Sequence, residues 1–320
     1  MQSKKAIEMS FNWIFVIIVG GFILFLAIYM AGKFMKTGGT GIQTQTAFEL
    51  VSLLNSFETG LASGKSQQLE FKKEAQIYLE CDELSNKPFG KQTIKMSEKS
   101  FSGKISETGE EVPIRNLYIF SEEEISGNKF YIFPKPFFMP FKVSDLTIIY
   151  SKNYCFYKAP DEIKREIQDL NLGNIIFADN LKNCPGTRVC FESSVNCEIK
   201  VTGLCNECKD KYDHGKIEKD NREIYYFGNL IYAGIFSSNA VYECNLKRIM
   251  NRFKELSLIY IDKEKIIARK GCNANIEASL YGIMNIADAL DSSASLELLY
   301  RGIENIELIN KRIEEGCKLF

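Results

Sequence analysis

Histidine is nearly missing from this chain: His214 is the only one in 320 residues, and it sits in the charged, loop-like stretch KDKYDHGK. Acyl-transfer chemistry places a base beside its nucleophile, so a conventional catalytic triad has no support here. An excess of either charge is missing as well. The 40 basic and 41 acidic residues are not gathered into long blocks, which removes the electrostatic footprint expected of a nucleic-acid binder. No asparagine lies in an Asn-x-Ser/Thr acceptor, so there is no N-glycan signal. A phosphate-binding loop is also lacking. Thr59-Gly-Leu-Ala-Ser-Gly-Lys-Ser66 comes close, but Thr59 holds the first glycine position, and a helix precedes it where a strand should. Neither nucleotide nor nucleic acid is expected as a partner. Acidic neighbours such as Asp82 and Glu83, or Glu122 to Glu124, read as solvated charge rather than as a glycosidase pair. No catalytic residue, cofactor site or metal ligand is assigned.

Ionisable side chains are wholly absent from Phe11 to Gly32 (FNWIFVIIVGGFILFLAIYMAG). At helical rise this run reaches about 33 Å, enough for a bilayer core of roughly 30 Å. Trp13 and Tyr29 sit near its two ends, where amphipathic rings favour the headgroup layer. The run is longer than a signal-peptide core and its exit lacks alternating small residues, so a retained anchor is expected, with residues 11–32 in the lipid bilayer. Ala27 and Ala31 form a small-xxx-small pair, a weak helix-packing signal. Lys4 and Lys5 before the run and Lys33 and Lys36 after it leave the positive-inside count nearly tied.

What is plentiful, by contrast, is cysteine beyond that run: Cys81, Cys155, Cys184, Cys190, Cys197, Cys205, Cys208, Cys244, Cys272 and Cys317. An even number spread through one region is what an oxidising compartment produces. That breaks the tie, placing the N-terminus in the cytoplasm and the bulk of the chain outside the cell membrane, with disulfides among the ten. Their connectivity is open; a bridge from Cys272 to Cys317, each following a helix-stopping glycine, is one guess. Cys205-Asn-Glu-Cys208 with His214, completed by Cys184, Cys190 or Cys197, is the zinc alternative, but the upstream spacing matches no standard ribbon.

The periodicity predicts an α+β chain: an anchor over 1–36, a flexible polar tether over 37–46 (TGGTGIQTQT from Thr37), a mixed cysteine-containing domain over 47–237, and a helical subdomain over 238–320. A short amphipathic helix carries Phe48, Leu50, Val51, Leu53, Leu54 and Phe57. Strands fill the middle, with a strand, helix, strand unit between Asp145 and Asp179. VCF and CEIKV read as a hairpin, Lys209–Asn221 as a surface loop, and REIYYFG and NLIYAGIF as strands. Three helices follow, on Tyr242, Leu246, Ile249, Met250 and Phe253; on Ile276, Leu280, Ile283, Ala287 and Leu290; and on Leu296, Leu299, Ile303, Ile306 and Ile313.

The stretch FYIFPKPFFMPF, Phe130 to Phe141, concentrates aromatic area between prolines that oppose regular pairing. It reads either as an edge segment whose rings cover the core or as an exposed loop in which Phe137, Phe138, Met139 and Phe141 dock on a partner.

The segments IFSSNAVYECNLKRIMNRFKELSLIY, CKLF, ETGLASGKS and SFNWIFVIIVGGFILFLAIY together resemble uncharacterised single-span, cysteine-containing membrane proteins of small-genome archaea. The resemblance implies an envelope location and carries over no functional residues. The expected function is a non-enzymatic envelope module that contacts other surface proteins. The alternatives are a pilin-like filament subunit, to which Lys4-Lys5-Ala6 and Glu8 bear a faint likeness, and an outside enzyme or solute-binding domain.

Overall fold

The computed structural model describes residues 11–58, 66–83, 89–99, 108–191, 197–205, 211–272, 274–313 and 317–320; the side chains of 11–15, 31–40 and 57–58 lie outside the described set. The chain is α+β, with a β-rich middle and helices after it. Helix α1 runs unbroken from Phe11 to Glu58, about 72 Å at helical rise. Residues 37–46, expected as a flexible tether, therefore continue the helix. Gln43 and Thr44 show why the helix holds there. Gln43 is buried, and Thr44 Oγ1 accepts the Glu110 N–H at 2.9 Å, so docking onto the fold begins inside the stretch read as tether. From there Ala47, Leu50, Val51 and Leu54 face the sheet, while Phe48 points to solvent.

That sheet is built from β1 (Gln67–Asp82), β2 (Lys91–Glu98), β3 (Val112–Ile114), β4 (Tyr118–Phe120), β5 (Glu124–Phe138) and β6 (Lys142–Tyr150), in spatial order β3-β2-β1-β5-β6-β4. Alternation sorts its faces. Ile77, Leu79, Ile94, Met96, Ile132 and Ile149 pack beneath α1, whereas Phe120, Phe133, Ile148 and Tyr150 enter the larger core on the other side.

The second sheet holds β7 (Tyr154–Tyr157), β8 (Ile175–Ala178), β9 (Thr187–Cys190), β10 (Ile199–Gly203), β11 (His214–Lys219) and β12 (Arg222–Phe227), in order β12-β11-β10-β9-β7-β8. The predicted strand, helix, strand unit is β7, α2 (Asp161–Gln168) and β8, with the two strands parallel. The predicted hairpin of VCF and CEIKV is a correction: β9 and β10 pair in parallel, overlapping only at Val189–Cys190 against Ile199–Lys200. The stretch Lys209–Asn221, expected as a loop, contains β11. Its inward residues are Gly215, Ile217 and Lys219, and two of those three do not look like core.

NLIYAGIF is a helix rather than a strand. All seven residues of α3 (Leu230–Phe236) are buried, so the segment has no polar face to betray its period. It packs on β6 of the first sheet and on β11 and β12 of the second. Beyond it, α4 (Asn239–Ala268), α5 (Glu277–Asp288) and α6 (Leu296–Arg312) bury the predicted stripes, and their apolar residues join the same core as the two sheets. Ser238 caps α4, its hydroxyl accepting the Val241 N–H at 3.2 Å.

Two buried cations hold the junctions. Arg248 of α4 is fully buried, and none of the described carboxylates pairs with it. It donates to the Phe89, Leu117 and Arg115 carbonyls at 2.9, 3.2 and 3.0 Å and to Gln92 Oε1 and Asn245 Oδ1 at 2.9 and 2.7 Å. Its guanidinium also lies 4.9 Å from the Tyr118 ring centroid. Burial pushes its pKa down to about 10. Lys219 donates from Nζ to the Gly234 and Ser237 carbonyls at the end of α3, and burial pushes it down to about 8.

Arg248→Ala leaves those acceptors unpaired and is expected to cost about 3–5 kcal/mol in urea unfolding, with Arg248→Lys recovering only part because the fork is lost. Lys219 sets a pH dependence. Above pH 8 the folded state sheds a proton that the unfolded state keeps to 10.5, so stability rises with pH. The gain from pH 8 to 9.5 is about 1.5 kcal/mol, and Lys219→Met should flatten that slope.

Candidate functional site

The aromatic stretch is mostly core. Phe137, Met139 and Phe141 are 1%, 0% and 2% exposed, while Phe138 is 54% exposed. Phe137 meets Phe227 at 5.2 Å between ring centroids, and Phe141 stacks on Tyr260 at 4.0 Å with Phe253 and Phe320 at 5.7 and 5.8 Å. The docking role read for Phe137, Met139 and Phe141 is thus corrected. Their rings cover the molecule's own core, and only Phe138 faces outward. Pairing survives the prolines: Pro134 and Pro136 lie opposite Thr147 and Asp145 of β6. Register with β1 ends at Gln67 opposite Ile132, so beyond that point β5 is an edge strand where alternate residues without an N–H are tolerated.

The cysteines are bridged as Cys81–Cys244, Cys155–Cys184, Cys190–Cys197 and Cys272–Cys317, the last being the pair guessed from the helix-stopping glycines. Cys205 is also disulfide-bonded, Cys208 lies outside the described residues, and no described cysteine is free. The zinc alternative loses its donors, because the sulfurs of Cys184, Cys190 and Cys197 are already bonded to other sulfurs. Among the described residues no group of His, Cys, Asp and Glu is placed to hold a metal.

The remaining sequence candidates scatter. Glu83 pairs with Lys247 at 2.8 Å and Glu122 with Lys152 at 2.5 Å, as solvated ion pairs do. Of the phosphate-loop look-alike, 59–65 lies outside the described residues, and Ser66 Oγ donates to the Leu170 carbonyl. Lys4, Lys5 and Glu8 lie outside as well. His214 is on β11, its ring 4.5 Å from that of Tyr300.

Two surface features stand out. One is α1 itself, where every described side chain from 16 to 30 is exposed, most of the large apolar ones by 57–65%. These cover about 22 Å of helix. Among the described residues no helix is long and apolar enough to cross a membrane. The other is a cleft of about 390 Å³ between the end of β12 and α6, lined by Phe138, Phe227, Tyr300, Asp213, Glu304 and Glu307 among others. The Tyr300 hydroxyl is pushed above its ordinary range by burial, then by its hydrogen bond to Glu304 and by the Glu304, Asp213 and Glu307 charges. Sequence reasoning missed this cleft because its walls come from three distant segments. One signal was present: Tyr300, Glu304 and Glu307 recur at helical spacing on α6.

No family model, curated protein or solved structure matches this chain.

Phe137→Ser should destabilise by about 3–5 kcal/mol, buried aromatic area being lost to a hydroxyl without a partner. Phe138→Ser should change stability by less than about 0.5 kcal/mol. Chemical unfolding of both variants checks the division, and equal losses would refute it.

Proposed function

We propose that the chain is a membrane-anchored, non-enzymatic envelope module, its disulfide-braced fold standing outside the cytoplasm on α1. The observation that carries this reading is the exposed apolar stretch of α1. A helix whose described side chains from 16 to 30 are apolar and exposed on every face is at home in lipid or against other helices. The charge-free sequence run extends past the described side chains on both sides, from Phe11 to Gly32, which matches the bilayer core. Disulfides in the folded part support an oxidising side.

A second reading, a pilin-like filament subunit, draws on one feature of its own. The apolar half of α1 and the half docked on the sheet are one uninterrupted helix. A shaft of that kind packs equally well in a bundle of its own copies once extracted from lipid.

Intact cells treated with an impermeant maleimide, with and without an impermeant reductant, test the first reading. Labelling is expected only after reduction; thiols that react solely after lysis would overturn it. Mass spectrometry of the native N-terminus separates the two readings. An intact leader favours the anchor, and a chain shortened just ahead of the apolar run favours the filament.

A further inference from the structure

The cleft between β12 and α6 combines two kinds of wall. Phe138, Phe227 and Tyr300 supply aromatic faces, Phe227 and Tyr300 lying 6.0 Å apart between centroids, and Asp213, Glu304 and Glu307 supply carboxylates. Phe138 is the exposed ring of a stretch in which Phe130, Phe133, Phe137 and Phe141 are buried, and it opens onto this space. A volume near 390 Å³ is within the range of ligand clefts. The carboxylates do not converge as metal ligands, since no metal-holding group occurs among the described residues. They surround an aromatic-walled space instead, which suits an extended organic cation: ring faces attract it through their quadrupoles and carboxylates through charge. Lys311 of α6, whose side chain is 71% exposed, reaches the cleft's Glu307 only loosely, at 3.7 Å, so it is readily displaced from that carboxylate.

We propose that this cleft receives a lysine or arginine side chain of a partner polypeptide, which makes it the docking point of the interaction module inferred above and rests on that reading. The aliphatic stem lies along Phe138 and Tyr300 while the charged head meets Glu304, Glu307 and Asp213. Of the four aromatic-stretch residues read from the sequence, Phe138 is the one that contacts a partner.

Saturation-transfer NMR on the full chain in detergent micelles tests this with capped glycine pentapeptides whose central residue is lysine, arginine, norleucine or glutamate. Lysine and arginine peptides should bind, and norleucine and glutamate peptides at least tenfold more weakly. Phe138→Ala should weaken lysine binding about three- to tenfold, as should Glu304→Gln with Glu307→Gln, and added salt should weaken it further. Norleucine binding as well as lysine would reduce the cleft to an apolar groove. Tetramethylammonium binding without the lysine or arginine peptides would mark it as a small-cation site. Either result, or no peptide binding at all, overturns the proposal. Failure here with labelling still confined to reduced, intact cells sinks the cleft alone; failure of that labelling sinks the envelope reading first.

Discussion

A helix with no exposed surface sets the terms for the rest of this fold. Because α3 is buried on all sides between two sheets, its last carbonyls have no water to turn to, and Lys219 reaches across from β11 to satisfy Gly234 and Ser237. The fit is close. A Cβ on Gly234 would lie 2.5 Å from Ile217 Cδ1, so any side chain at 234 would push the tip of Ile217 aside. On the same helix the Tyr232 hydroxyl donates to Glu166 of α2 at 2.7 Å, and Lys135 of β5 meets that carboxylate at 2.6 Å. One seven-residue helix thus fixes the spacing of both sheets, and with it the positions of β12 and Phe138 that shape the cleft.

From that centre α4 carries order outward. Arg248 is held by carbonyl and amide oxygens of the first sheet, its loops and α4 itself, an arrangement that satisfies a buried charge by dipoles instead of by a counter-ion. One turn away the Cys81–Cys244 bridge joins the same helix to β1 across 163 residues, the kind of long closed loop whose cross-link removes most entropy from the unfolded chain. At the far end of α4, Lys263 donates to the Leu319 carbonyl, Asn310 Oδ1 accepts the Leu319 N–H at 3.0 Å, and Phe320 packs against Tyr260 and Phe141. With Cys272–Cys317 closing this corner, polar contacts, ring packing and a bridge all fix α6, the other wall of the cleft.

How much of this was legible in the sequence follows from how each element hides its polarity. The stripes of α4, α5 and α6 each have one wet face, so period 3.6 was readable; β12 and the β7, α2, β8 unit carried ordinary strand and cap signals. Three elements had no such contrast. α3 has no polar side, β11 turns a glycine and a lysine inward, and the Gly- and Thr-rich part of α1 goes against helix propensity, held as it is between an apolar helix and a docked one. The aromatic stretch was legible as unusual but not as to direction. Alternation along β5 and the partners on α4 decide that Phe137, Met139 and Phe141 turn in and Phe138 turns out.

The continuity of α1 changes what an anchored module can do. A flexible tether would let the fold sample a hemisphere, lowering the effective concentration of its surface toward any fixed partner. An unbroken helix removes that freedom. On the envelope reading, Gln43, the first buried residue of the helix among those described, stands only about 16 Å along the axis from Gly32. Because Ala47, Leu50 and Leu54 lock the same helix into the first sheet, any tilt or rotation of the helix in its surroundings is passed to the whole core instead of being absorbed by a linker. On that reading, a surface carried this way would meet its partner in a narrow range of orientations, and the cation-accepting cleft proposed above would be enough to fix register, since the shaft has already removed the orientational entropy.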